Sequence, residues 1–232
     1  MIDYEDKDQL LKEKLLSVAD DETLAWLHQK GQEFSKLMSY YRCAMMEIET
    51  KFNVLNEEYS LRHDRNPISS IKSRLKSITS IRGKLQRKGH PLTVQAIEAY
   101  LNDVAGIRVI CSFLEDVYTL ADALLHQDDI TLISRKDYIE HPKANGYRSL
   151  HLIVSVPIFL ANEKRQMKVE IQLRTIAMDF WASLDHQLRY KKDRDFDGTM
   201  AIELYECARM SARLDGRMDA LRKRLETQED QE

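Results

Sequence analysis

The sequence is short of the residues that break or staple a chain: four prolines, seven glycines and three cysteines in 232 residues. So few breakers exclude a loop-rich or largely disordered chain and favour long helices. Cys43, Cys111 and Cys207 stand far apart with no CxxC pair. That gives no support to a disulfide framework or a thiolate zinc site, and it suits reduced thiols. No apolar run approaches membrane-spanning length, and the first twenty residues are acidic and polar, unlike a secretory leader. A cytoplasmic chain with no membrane partner is therefore expected. The formal net charge is only −3, so nothing global draws the chain to nucleic acid, and any such attraction must be local. Internal repeats and low-complexity linkers are also missing. What remains, 43% hydrophobic and 31% charged, is enough for a substantial core under a highly charged surface.

From Phe34 the apolar positions run Phe34, Met38, Tyr41, Met45, Ile48, Phe52, Leu55, Tyr59, in steps of four and three. This is a heptad seam on a long helix. Met200, Leu204, Cys207, Ser211, Leu214, Met218, Leu221 and Leu225 repeat the spacing near the other end. Packing within the fold is the commoner use of such seams, and pairing with another copy is the sharper one. A third helical stretch is expected between Pro67 and Gly89. The middle of the chain alternates instead. Residues 105–113 read as a strand, 115–125 as an amphipathic helix, 130–139 as a strand and turn, and 166–174 as a strand. "HPKANGYRSLHLIV" (141–154) opens on a turn pair, Asn145-Gly146, and continues as a strand ending near Pro157. Its alternation puts Leu150, Leu152, Val154 and Val156 on a core face and Tyr147, Ser149 and His151 opposite, like a binding lip. Residues 175–192 read as a helix capped by Thr175. Together these predict one α+β domain, a sheet of about five strands flanked by helices, with an N-terminal helical arm (1–60), a central domain (61–192) and a C-terminal helical arm (193–232).

Three constellations have chemical promise. Residues 61–90 hold nine Lys or Arg against Asp64. Within them Lys76, Ser80 and Lys84 recur at i, i+4, i+8, so on a helix they form a row suited to successive phosphates. A solvated basic face is the plainer explanation, and RNA is a third, although stacking aromatics are missing from the segment. In "QMKVEIQLR" (166–174), Met167, Val169, Ile171 and Leu173 point inward, leaving Lys168, Glu170, Gln172 and Arg174 on one face. Glu170 and Asp103 are candidate carboxylates for Mg²⁺ if the fold brings them together, since that ion takes a few carboxylates and substrate phosphates. Arg108 is the polar member of an apolar strand. Paired with Arg74 it could sandwich a planar base, as Tyr147 could stack a second. His63-Asp64 spells a metal-phosphohydrolase pair but is more simply chance or capping, and Trp26 and Trp181 are most simply core.

"SRLKSITSIRGK", "DVAGIRV", "KDYIEHPKANGYRSLH", "VEIQLRT" and "FWASLDHQLRYK", in that order over roughly residues 65–192, resemble the RelA/SpoT family. The likeness is to its short single-domain members, the small alarmone synthetases. The resemblance implies a nucleotidyltransferase-like mixed sheet and a GTP pyrophosphokinase: pyrophosphoryl transfer from ATP to the 3′-hydroxyl of GDP or GTP, giving ppGpp or pppGpp and AMP. It implies that Arg74 and Arg108 hold adenine and that Lys76, Ser80 and Lys84 hold the ATP phosphates. Asp103 and Glu170 are then the catalytic pair on Mg²⁺, Glu170 also acting as base toward the 3′-hydroxyl. Tyr147 stacks on guanine, with Lys143, Asn145 and His151 near the acceptor's ribose and phosphates, and Gln172 and Arg174 support that floor. The resemblance leaves open the role of Asp185-His186 and, at Lys136 and Asp137, the preference between GDP and GTP. The short chain implies a synthetase without the hydrolase or ribosome-sensing domains of long members. Short members resemble one another in forming homotetramers through terminal helices. A regulatory alarmone or RNA is a further partner the sequence leaves open, as is an acceptor other than GDP or GTP.

Overall fold

A computed structural model describes residues 21–63, 65–190 and 198–229, and side chains within them except at 21–29, 62, 63, 189, 190 and 229. Helix α1 (Asp21–His63) is followed by strand β1 (Ile68–Leu75), helices α2 (Ile78–Arg87) and α3 (Val94–Tyr100), strand β2 (Ala105–Cys111) and helix α4 (Leu114–Leu125). Strands β3 (Thr131–Asp137), β4 (Leu150–Phe159) and β5 (Lys164–Thr175) complete the sheet, and helices α5 (Ile176–Tyr190) and α6 (Gly198–Glu229) end the described chain.

The strand order is β1-β2-β5-β4-β3, with β2 and β5 parallel and the other neighbours antiparallel. One sheet face is apolar. Ile107, Val109, Leu150, Leu152, Val154, Val156, Val169, Ile171 and Leu173 are all buried, as their alternation requires. The α1 seam covers that face: Phe34, Met38, Tyr41, Met45, Ile48, Phe52 and Leu55 are buried in the same core, joined by α4 through Val117, Leu120 and Leu124. The N-terminal seam is therefore spent inside the fold. The C-terminal one is not, since Leu214, Met218, Leu221 and Leu225 are exposed.

One expectation for the basic segment is corrected. Residues 68–75 are not helical but form the edge strand β1, and the helix begins only at Ile78. Ser77 caps it, its hydroxyl accepting from the Ser80 amide. "ISSIKSRL" hides its strand character because an edge strand with one polar face needs few apolar residues. Short helix α3 was also not anticipated; Thr93 caps it by accepting from the Ala96 amide. Thr175 caps α5 as expected, accepting from the Met178 amide. Trp26 and the His63-Asp64 pair lie outside the described side chains.

Candidate active site

The opposite, polar face of the sheet carries the chemistry, and strand register assembles it. Lys72 of β1, Arg108 of β2, Gln172 of β5 and His151 of β4 stand in one row across the sheet. Arg74, Gly106, Glu170 and Ile153 form the next. Side chains two apart on a strand share a face, so both rows point the same way. They floor a cleft of about 350 Å³ lined by Lys72, Arg74, Lys76, Asp103, Gly106, Arg108, Glu170 and Gln172, with Ile107 at its edge. Gly106 presents no side chain between Arg74 and Glu170.

Asp103, two residues before β2, meets Glu170 in this cleft despite the 67 positions between them. Lys76 Nζ and Lys84 Nζ each donate to Asp103 Oδ2 at 2.6 Å. Burial pushes the Asp103 carboxyl up, but the two ammonium groups outweigh it and leave its pKa below the usual carboxylate value. Its second oxygen, Oδ1, is buried without a hydrogen-bond partner among the described residues. Lys76 and Lys84 thus converge on one carboxylate, although the expected row on one helix face is not formed. Lys76 lies in the link between β1 and α2, and only Lys84 is on the helix. Ser80 stands in the first turn of α2, where its hydroxyl accepts from Ser77 Oγ at 2.9 Å, and it does not line the cleft.

Glu170 is tied into a ring of polar groups. Gln172 Nε2 donates to Glu170 Oε2 at 3.1 Å, and Arg174 Nη2 donates to Gln172 Oε1 at 2.9 Å and to the Tyr147 hydroxyl at 2.5 Å. Tyr147 Oη meets His151 Nε2 at 2.8 Å, and His151 Nδ1 returns to within 3.7 Å of Glu170 Oε1. Arginine has no acceptor, so Tyr147 accepts from Arg174. When the Tyr147 hydroxyl also donates to His151 Nε2, a neutral His151 carries its hydrogen on Nδ1, facing Glu170. Burial raises the Glu170 pKa, but His151 and Gln172 overcome burial and the repulsion from Asp103, leaving it lowered. Arg108 shows the opposite balance: burial and then the Arg174 guanidinium lower its pKa against the pull of Asp179.

The stretch leading into β4 differs from a plain strand. Strand β4 begins at Leu150, so Tyr147 and Ser149 precede it. Ser149 is fully buried, donates to the Leu173 carbonyl at 3.1 Å and accepts from Arg174 Nε, and so serves the interior instead of the surface. Asn145 Oδ1 accepts from the Tyr147 amide, closing the turn, and Gly146 adopts φ +87°. The exposed Lys143 sits over two rings, 4.5 Å from the centre of Tyr138 and 4.7 Å from that of Tyr147. Lys143, Asn145, Tyr147, His151 and Arg174 lie beyond the cleft lining, on the Glu170 side. Asp185 and His186 lie on α5, away from the cleft lining. Lys72, Gly106 and Asp179 belong to the site but have no sequence signal of their own.

A family model described as the region found in RelA/SpoT proteins matches residues 73–195, more than half of the chain. The chain belongs to the RelA/SpoT family. Among its relatives is the GTP pyrophosphokinase YwaC of Bacillus subtilis, 42% identical over 84% of this chain and 93% of its own length. A second, GTP pyrophosphokinase YjbM of the same species, is 34% identical over 82% of this chain and 89% of its own. Small alarmone synthetase 2 from B. subtilis superposes with a TM-score of 0.75 at 42% identity, covering 83% of this chain and 99% of that one. Small alarmone synthetase 1 bound to its product pppGpp matches equally well in TM-score, 0.75, at 33% identity over 83% and 98% of the two chains. The mixed five-stranded sheet flanked by helices is thus the RelA/SpoT synthetase fold.

Proposed function

We propose that this RelA/SpoT chain is a (p)ppGpp synthetase, a GTP pyrophosphokinase of the stringent response, with residues 61–192 as its catalytic domain between helical arms at 1–60 and 193–232. The observation that carries this is the pair Asp103 and Glu170 on one cleft floor, with two lysines converging on Asp103. The relatives named for this activity, one of them holding pppGpp, supply the substrate class.

Arg74 and Arg108 would hold the adenine of ATP, and Lys76 and Lys84 its phosphates. The polyphosphate would draw the two ammonium groups partly away from Asp103. The residues fit Mg²⁺: Asp103 Oδ1 has no hydrogen-bond partner among the described residues, and Glu170 faces the same cleft. Among the described residues no group of three His, Cys, Asp or Glu could hold a metal alone, which suits an ion completed by phosphate oxygens. Asp103 and Glu170 would hold it, and it would neutralise charge developing on the transferred group. Tyr147 would stack on guanine, with Lys143, Asn145 and His151 beside the acceptor's ribose and phosphates, and Gln172 and Arg174 beneath. The acceptor 3′-oxygen bonds to the β-phosphorus of ATP, the bond from that phosphorus to the α–β bridging oxygen breaks, and AMP leaves. The hydroxyl proton passes to Glu170. A carboxylate with a lowered pKa is a weak base, but in a loose transition state the nucleophile loses its proton late, so positioning matters more than base strength.

The free thiols suit a cytoplasmic protein, and no helix among the described residues is long and apolar enough to cross a membrane. The exposed apolar stripe of α6, with Ile176, Phe180, Leu184 and Leu188 of α5, supports a homotetramer assembled through terminal helices. The test is incubation with Mg²⁺, ATP and GDP or GTP in parallel, with products separated by nucleotide chromatography. AMP and a guanosine 3′-diphosphate species are expected, and Glu170→Gln should slow their formation by at least about a hundredfold. Equal rates for Glu170→Gln and wild type would refute the assignment of the base.

A further inference from the structure

The two halves of the cleft meet at one carboxylate. Asp179 stands in the first turn of α5 and is only 8% exposed. Its Oδ2 accepts from Lys72 Nζ at 3.1 Å. Its Oδ1 accepts from Arg108 Nη1 at 3.4 Å and from Arg174 Nη1 at 3.3 Å. Lys72 and Arg108 line the donor side of the cleft. Arg174 is buried behind the acceptor side, where its other nitrogens hold the Tyr147 hydroxyl, Gln172 and Ser149. Three cations that would otherwise repel are thus held in place by one anion. Water cannot take over that task for Arg174, which is almost wholly enclosed.

We propose that Asp179 is a positioning residue for both nucleotides: a shared counter-ion that fixes Arg108 for the donor base and, through Arg174, the Tyr147 ring for the acceptor base. This rests on the function proposed above. Asp179 does not line the cleft itself, yet its loss frees a group on each side. Arg108 loses the partner that holds its plane across the cleft floor. Arg174 loses the anion that balances it and no longer aims the Tyr147 hydroxyl. Substitutions within one half behave differently, so Arg108→Ala is expected to weaken ATP alone and Tyr147→Ala the guanine nucleotide alone.

The test is steady-state kinetics of Asp179→Asn, with each substrate varied in turn. KM for ATP and KM for GDP should both rise, by about tenfold or more for lost hydrogen bonds to charged groups, while kcat falls by a smaller factor. A residue that merely supports the fold would lower the active fraction, reducing kcat with both KM values unchanged. That result, or a rise in one KM alone, overturns the proposal. Should Asp179→Asn fail to fold, Asp179→Glu keeps the charge but moves the carboxylate by a methylene. Both KM values raised then supports the proposal, and both unchanged overturns it. If the wild-type chain makes no product from ATP and GDP or GTP, the proposed function fails on its own. Titrations of AMPCPP and GDP, each alone, then decide the role of Asp179: both affinities weakened in the variant supports it, and one or neither overturns it.

Discussion

At the scale of single residues, Asp103 shows how neighbours reverse the effect of burial. Enclosure alone would favour its neutral form, yet Lys76 and Lys84 at 2.6 Å keep it ionised. Its native pKa therefore lies below the unfolded value of about 3.9, and the sign of the linkage follows. The stabilisation from this cluster is fully present above about pH 4 and is lost as pH falls through the native pKa. Denaturant unfolding of wild type and Asp103→Asn across pH should show a wild-type excess that is constant near neutrality and shrinks on acidification. An excess that grew in acid would contradict the assignment. The same scale marks where sequence reasoning stopped. Asp103 and Glu170 were legible because each flanks or sits within an alternating apolar strand. Asp179 was not, because its partners at 72, 108 and 174 belong to three different strands. Only the assembled sheet brings them to one point.

At the scale of elements, periodicity revealed whatever had one clear apolar face. Strands β2, β4 and β5 and helices α1 and α4 bury the residues their spacing selects, with Tyr59 at the end of the α1 seam only partly covered. Strand β1 escaped notice because Ser, Lys and Arg fill five of its eight positions, and the i, i+4, i+8 row of Lys76, Ser80 and Lys84 imitated a helix face. The lysines still converge, since the β1–α2 link and the second turn of α2 approach Asp103 from different sides. The lip loop gives a test of how elements constrain one another. A Cβ on Gly146 would lie 2.5 Å from the Ala208 Cβ on α6, at a φ that side chains rarely adopt. Gly146→Ala should therefore cost about 1–2 kcal/mol in backbone conformation alone, lowering Tm by about 2–8 °C. It should also raise KM for the guanine nucleotide while leaving that for ATP unchanged. Gly89→Ala is the control: its φ is +73° with nothing near the new Cβ, so it should lower Tm without altering either KM.

At the scale of the whole molecule, the two long helices that looked alike in sequence have different fates. Helix α1 seals the apolar face of the sheet, whereas α6 turns Leu204, Ala208, Ser211 and Asp215 inward and leaves Leu214, Met218, Leu221 and Leu225 outside. The heptad spacing could not distinguish them, since it records a stripe and not what covers it. A chain with Leu214→Glu and Leu221→Glu should keep its helical circular dichroism, because both positions are about half exposed, yet show a smaller mass by light scattering. An unchanged mass would remove α6 from the assembly.

Helix α6 also presses its inner side against Gly146, and its Leu204 and Ala208 share a small apolar cluster with Trp181 and Tyr147. The outside of that helix and the ring of Tyr147 are therefore only one helix's thickness apart, with Leu204 and Ala208 filling the space between.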